Sequence, residues 1–134
     1  MKHIRKFNES LDIFEMQEFC NDNLAYLIDD GFSIEPIFAT SYHVPLADAY
    51  TTFGIYKEVN GNYNVFNWYD VRDDIIPFMS ILSKKYIVFD IKFRYKVSTE
   101  DGTWITDSKV LSIISLDRIE DIKIIGVVFN IKNI

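Results

Sequence analysis

Cysteine and long apolar segments are almost absent from this sequence of 134 residues. Its single thiol, Cys20, excludes both an internal disulfide and a cysteine-rich metal cluster, so neither kind of cross-link stabilises the fold. The longest stretch with few charges, residues 31–45, is shorter than the roughly 20 apolar residues that cross a bilayer. We therefore expect no membrane span, and the lack of a signal-peptide pattern in residues 1–30 predicts a cytoplasmic protein.

Glycine and histidine are also scarce, and their placement excludes several kinds of enzyme. The five glycines stand singly, at 31, 54, 61, 102 and 126, and form neither G-x-G-x-x-G nor G-x-x-x-x-G-K-[ST]. Rossmann and P-loop enzymes are therefore excluded. The two histidines, His3 and His43, belong to no H-x-x-x-H pair, and no D-x-[DN]-x-[DN]-G loop is present. We expect no cofactor, no metal ion and no enzymatic activity.

Basic residues are the minority among the charges, because 14 lysines and arginines stand against 20 aspartates and glutamates, for a net charge of −6. This balance argues against DNA or RNA as a partner. The acidic residues are grouped, since residues 11–31 contain six of them and no base. Residues 1–9 form a basic tail, either flexible or ordered, in front of this acidic block.

Apolar periodicity predicts two helices. Residues 10–31 run from Ser10, a good N-cap, to Gly31, a good residue to follow a helix, and place their apolar side chains on one face. Residues 70–85 form the second helix. Pro77 puts the start of that helix either near Asp74, with the proline in the first turn, or near Asp70, with a kink.

Alternating apolar residues predict about six strands. Asn60-Gly61 is a strong signal for a tight hairpin, and the apolar last strand is expected near the middle of the sheet. The order α-βββ-α-βββ predicts a single two-layer α+β domain, residues 1–134, with two helices packed on one face of a largely antiparallel sheet. The predicted strands are residues 32–38, 51–59, 63–69, 86–97, 104–114 and 122–131.

The first helix carries a stripe of carboxylates opposite its apolar face. A solvated helix surface explains most such stripes, but four acids without an interleaved lysine are unusually one-signed. The functional alternative is an electrostatic decoy or a docking surface for a basic partner, including a protein that normally binds DNA. The stripe consists of Glu15, Glu18, Asp22 and Asp29.

The fourth predicted strand has a basic side. The alternation places Ile87, Phe89, Ile91, Phe93, Tyr95 and Val97 towards the core. Lys92, Arg94 and Lys96 then point outward, on the same side as Asp90, Tyr86 and Val88. This side is either an ordinary solvent-exposed or edge surface, or a basic platform with an aromatic ring for a phosphate-containing ligand such as a nucleotide or single-stranded nucleic acid.

The sequence offers only a few candidate catalytic residues. Asp70, Asp73 and Asp74 gather at the start of the second helix, where they act either as helix caps or as ligands of a divalent ion. Together with His43 in the loop 41–50 they are the candidate residues of a small hydrolase or nucleotide-binding enzyme. Cys20 lies within an apolar helix face and is expected to be a core thiol.

The first ten residues, MKHIRKFNES, resemble the start of small uncharacterised accessory proteins of tailed bacteriophages. In some of these an amphipathic helix ends in a Leu-x-Asp-x-Gly-Phe pattern, to which residues 27–32 are similar. The likeness covers about 30 of the 134 residues and implies a virus-encoded accessory protein in the cytoplasm of an infected bacterium.

The lack of catalytic, metal-binding and phosphate-loop motifs, together with the grouping of the charged residues, predicts a non-enzymatic protein that acts by binding. We expect a homo-oligomer that binds a host protein or sequesters a small phosphate-containing ligand, as inhibitors of host defence do. A chaperone-like or virion-associated interaction protein is the alternative, on the basis of architecture alone.

Overall fold

A computed structural model describes residues 13–37, 50–98, 104–132 and 134. Within these ranges, two helical segments come first, followed by a group of strands, a long helix and a second group of strands. The elements are α1 (Ile13–Asn23), α2 (Ala25–Asp29), β1 (Phe32–Ile37), β2 (Thr51–Val59), β3 (Asn62–Asn64), β4 (Phe66–Asn67), α3 (Trp68–Lys85), β5 (Ile87–Ser98), β6 (Trp104–Leu111), a 3₁₀ helix (Ile113–Arg118), β7 (Lys123–Ile124) and β8 (Gly126–Lys132).

One antiparallel sheet organises the molecule. Its strands follow the order β1-β2-β8-β5-β6, with β3 also paired to β2, while β4 and β7 form a separate two-stranded ribbon. The strand pairs that the described residues form are antiparallel. This confirms the predicted α+β fold with a largely antiparallel sheet. The apolar last strand does lie in the centre, because β8 pairs with β2 on one side and with β5 on the other.

The helices cover one face of this sheet. Phe53 and Phe129 are register partners on β2 and β8, and their side chains contribute to a core that the helices complete. Helix α3 places Phe78 against Phe129, with ring centroids 6.0 Å apart, and Trp68 against Phe93 at 4.6 Å. Met16 of α1 is buried in the same cluster. The fold therefore has two layers, and the opposite face of the sheet, called the outer face below, carries no described helix.

The first helix is less continuous than predicted. It breaks at Leu24, whose φ of −120° and ψ of 28° separate α1 from α2, and residues 10–12 lie outside the described ranges. Residues 21–23 are Asn-Asp-Asn, which favour helix weakly and so make this a natural place for the break. The predicted stop is correct, since Gly31 follows the helix with a φ of +92°.

The other element boundaries also differ in detail. Helix α3 begins at Trp68, so Pro77 lies inside it, and the predicted strand 63–69 is divided between β3, β4 and the first turn of that helix. The strand predicted over residues 104–114 ends at Leu111, where the 3₁₀ helix takes over. The hairpin is as predicted, because Asn60 and Gly61 have φ values of 52° and 80°.

Strand β5 contains a bulge that changes which side chains face the core. Phe89 pairs with Asn130 but Lys92 pairs with Val128, so β5 has one residue more than β8 in this interval. Asp90 lies in the bulge with a left-handed φ of 51°. The alternation predicted over residues 86–97 is therefore wrong before the bulge, where Val88 packs against the core and Phe89 lies on the outer face with Asn130.

No helix in the described part of the chain is both long enough and apolar enough to cross a membrane.

Candidate functional site on the outer face

Three residues on three neighbouring strands form a row across the outer face. Arg94 of β5 lies opposite Gly126 of β8, and Gly126 in turn lies opposite Tyr56 of β2. Register partners in antiparallel strands present their side chains to the same side of the sheet. The glycine in the middle has no side chain, so Tyr56 and Arg94 can approach each other above it.

The Tyr56 ring lies directly over Gly126. A Cβ atom on that glycine would overlap Cε1 of the ring and come within 2.6 Å of Cδ1. With the ring in this place, the Tyr56 hydroxyl oxygen accepts a hydrogen bond from Nη1 of Arg94, at 3.0 Å. The guanidinium group is thereby held in a defined position by a residue 38 positions away in the chain.

A second tyrosine extends the row. Tyr63 of β3 lies opposite Glu58 of β2, and its ring stacks on Tyr56 with centroids 4.6 Å apart and planes inclined by 30°. Tyr56 is only 8% exposed, whereas Tyr63 is 50% exposed. One side of the Tyr63 ring therefore contacts Tyr56, while Tyr63 as a whole remains half exposed to solvent.

The cationic end of the row has no carboxylate partner among the described residues. Arg94 and Lys92 are both half-buried, two residues apart on the outer side of β5. Within the described ranges the ion pairs are Arg72–Asp73 and Lys85–Glu15, and neither involves these two cations. Two positive charges that no acid in the described ranges neutralises make this end suitable for an anion. We call Arg94, Lys92, Tyr56 and Tyr63 the outer-face row.

The structure changes the composition predicted for this platform. Tyr86 and Val88, which the strict alternation placed beside Arg94, pack against the core instead because of the bulge at Asp90. The aromatic rings next to the guanidinium come from Tyr56 and Tyr63 of the preceding hairpin. Lys96, the third predicted cation, lies on β5 opposite Thr106 of the edge strand β6.

Two sequence signals point to the tyrosines that strand alternation alone missed. The Asn-Gly turn fixes the hairpin register and so places Tyr63 beside Glu58, within reach of Tyr56. A glycine within a central strand marks a place where another group approaches the backbone closely, and Gly126 is such a glycine.

The other end of the outer face is occupied by contacts within the protein. Thr52 Oγ1 donates to Oδ1 of Asn130 at 2.7 Å, and Nδ2 of Asn130 donates to Oδ2 of Asp90 at 3.4 Å. The Phe89 ring packs edge-on against Tyr50, with centroids 5.6 Å apart. These side chains already satisfy one another, which leaves the outer-face row as the better candidate for a ligand.

The acidic stripe is less uniform than the sequence suggests. Glu15, Glu18 and Asp22 are exposed on α1, and Asp29 is exposed on α2, beyond the break at Leu24. Helix α3 brings Lys85 to this surface, where its Nζ lies 3.5 Å from Oε1 of Glu15. The stripe therefore has a lysine at one end that the sequence of the first helix does not contain.

The structure describes only part of the group of residues proposed for catalysis. Asp70, Asp73 and Asp74 all lie on α3, and His43 falls outside the described residues. Across residues 13–37, 50–98 and 104–132, no group of three or more His, Cys, Asp or Glu side chains is arranged to hold a metal ion. The backbone N–H of Tyr69, in the first turn of α3, donates to Oδ1 of Asp121 at 3.0 Å.

The thiol of Cys20 is buried in the core. Burial raises its pKa from an ordinary value of 9.0 to about 12, because the apolar surroundings disfavour the thiolate. A neutral, enclosed thiol is a poor nucleophile, in agreement with its predicted role as a core residue.

A groove of about 460 Å³ lies between the end of α3, the start of β5 and the 3₁₀ helix. Its lining is apolar apart from the hydroxyl groups of Ser83 and Ser112, and it contains no charged side chain. An anion would find no counter-charge there, so this groove does not compete with the outer-face row as a phosphate site.

Comparison of the chain with models of protein families, with curated proteins and with solved structures gave no match.

Proposed function

We propose that this protein acts by binding, and that its ligand is a small phosphate-containing molecule held on the outer face by Arg94 and Lys92. The observation that carries the proposal is the fixed guanidinium group of Arg94. It is oriented by the Tyr56 hydroxyl at 3.0 Å, and no described carboxylate neutralises it.

The geometry of this group suits a phosphate. A guanidinium has five N–H donors in a planar fork, and one contact to Tyr56 leaves the others to face a ligand. Lys92 lies two residues away on the same side of β5, about 6.6 Å along the strand, and supplies a second positive charge. A phosphate group can accept hydrogen bonds from both cations at once, which gives affinity and a preferred orientation.

The biological setting follows from the resemblance of the first 30 residues. We propose that the protein is a phage accessory protein that works in the cytoplasm of an infected bacterium. As a homo-oligomer it sequesters its ligand, in the manner of an inhibitor of host defence. Sequestration requires affinity and no chemical step.

The test is a titration of the isotope-labelled protein with inorganic phosphate and with ribose 5-phosphate at low ionic strength. We expect NMR shifts of the Arg94 Nε–Hε and of the amides of Lys92 and Gly126. Arg94→Gln should weaken binding at least about tenfold, since a charge-assisted bidentate contact is lost. Arg118→Gln, which removes an exposed arginine from the 3₁₀ helix, is the matched control and should bind as the wild type does. Equal affinity of both variants would contradict the proposal.

Binding of a basic host protein to the acidic side of α1 is the second candidate. It is favoured by the exposure of Glu18 and Asp22 to solvent. The variant Glu18→Lys/Asp22→Lys should then fail to capture the partner that the wild type captures, while Arg94→Gln should still capture it. The reverse pattern would assign the partner to the outer face.

A further inference from the structure

We infer that the phosphate-containing ligand also carries a planar base, so that it is a free nucleotide whose base stacks on Tyr63. This inference rests on the proposed function, because it takes the phosphate to be bound by Arg94 and Lys92. It adds the chemical class of the rest of the ligand.

The first argument is the different exposure of the two stacked tyrosines. Tyr56 is nearly buried, at 8% exposure, and is fixed by Gly126 below it and by the hydrogen bond to Arg94. Tyr63 is stacked on this fixed ring and is half exposed. A ring that is packed on one side and exposed to solvent provides a stacking surface. Because the ring is already ordered, it loses little conformational entropy when a ligand binds.

The second argument is the polarity of the row. Its Arg94 end is cationic, whereas Tyr63 lies opposite Glu58, an exposed carboxylate. Glu58 repels a phosphate but accepts hydrogen bonds from the N–H and O–H groups of a base or ribose. A ligand with a phosphate at one end and a neutral ring that carries hydrogen-bond donors at the other matches this order, whereas inorganic phosphate uses only the cationic end.

The third argument concerns the size of the ligand. The chain has a net charge of −6, and a polynucleotide brings one negative charge with every added residue. The two cations of the row match one phosphate-bearing unit, and the acidic residues elsewhere disfavour a longer strand. We therefore assign a mononucleotide and not a single-stranded nucleic acid.

The experiment compares ribose 5-phosphate, the matching nucleoside, the four common nucleoside monophosphates and an eight-residue oligonucleotide by calorimetry on the full chain. We expect at least one monophosphate to bind about 5- to 150-fold more tightly than ribose 5-phosphate, the range that stacking of one base provides. In Tyr63→Leu this advantage should disappear, so that the monophosphates and ribose 5-phosphate bind with equal affinity. Tyr63→Phe, which keeps the ring, should restore the advantage.

Tyr26→Leu is the matched control, because Tyr26 is also an exposed tyrosine but lies on α2, away from the row. It should keep the full preference for the nucleotide, and circular dichroism on each variant establishes that it is folded.

The outcomes separate the inference from the proposed function. If ribose 5-phosphate and the nucleotides bind equally tightly, the assignment of a base is wrong and the phosphate site stands. If no phosphate compound binds, or if the nucleoside alone binds as tightly as its monophosphate, the phosphate site is wrong. Tighter binding of the oligonucleotide per nucleotide would assign a nucleic acid in place of a free nucleotide and so overturn the inference.

Discussion

Substitution of Gly126 by alanine tests the geometry on which the outer-face row depends. Gly126 has an ordinary strand conformation, because its φ is not among the positive values in the chain. For such a residue the usual effect of Gly→Ala in a strand is a gain of about 0.5–1 kcal/mol, since alanine has less backbone freedom in the unfolded chain. The Tyr56 ring above Gly126 reverses this expectation, because the new methyl group overlaps the ring.

The expected change in the free energy of unfolding follows from the contacts that the Tyr56 ring loses when it is displaced. Displacing it breaks the hydrogen bond from Arg94 and disturbs the stack with Tyr63. A hydrogen bond to a charged group contributes about 1.5–3 kcal/mol when buried, and the half-exposed position of Arg94 reduces that figure. Overpacking typically costs about 1–3 kcal/mol. After subtraction of the gain in backbone entropy, we expect Gly126→Ala to lower the free energy of unfolding by about 1–2 kcal/mol.

The assay is urea unfolding followed by circular dichroism, applied as a double-mutant cycle with Tyr56→Ser. In the Tyr56→Ser background the ring is gone, so Gly126→Ala should stabilise the protein by a few tenths of a kcal/mol up to about 1 kcal/mol. The sign of the glycine substitution should thus differ between the two backgrounds. A stabilising Gly126→Ala in the wild type, or an equal effect in both backgrounds, would refute the placement of the ring and of the guanidinium that it holds.

The further predictions concern three other residues. Asp90→Val should lower the free energy of unfolding by about 1–2 kcal/mol in urea unfolding, because a β-branched residue fits poorly at a φ of 51°, while Asp90→Gly should stay within about 0.5 kcal/mol of the wild type. Cys20, whose pKa is raised to about 12, should resist thiol reagents at pH 8 until the chain is unfolded. Its neutral folded form also means that stability present below pH 9.0 is lost as the pH rises towards 12, a loss that the pH profile of a Cys20→Ala variant should lack. Lys85→Gln should lower the melting temperature only slightly, by less than the equivalent of about 1 kcal/mol, because its ion pair with Glu15 is half exposed.

The fold was predictable where one short stretch of sequence determines the local geometry. Asn60-Gly61 favours positive φ at both positions, and the resulting turn has them. The apolar residues of β8 require cover on both faces, and that strand is indeed central. The bulge in β5 lacks such a signal. Asp90 is a charged residue in an alternating strand and reads as an ordinary outward position, but pairing with β8 adds a residue there and reverses the side chains that precede it.

The candidate site was also predictable only in part. Lys92 and Arg94 could be identified from alternation, because they follow the bulge and keep the predicted orientation. Their partner could not, since the contact between Arg94 and Tyr56 joins strands that are separated by β8 in the sheet and by 38 positions in the chain. Strand order is a property of the whole fold, and a single sequence read along its length does not contain it explicitly.

Gly126 connects the stability of the fold with the proposed binding function. A central strand gains most from β-branched residues, and β8 has them at Val127, Val128 and Ile131, yet it starts with a glycine. The fold alone would be served as well by a valine at this position and a small residue in place of Tyr56. The glycine and tyrosine together bury a ring, orient a cation and support a second ring in one row. Gly126 weakens the strand but allows a charged group to be positioned. Functional sites often contain residues that are unfavourable for the local fold in this way, and this supports the proposal that the ligand binds to this row.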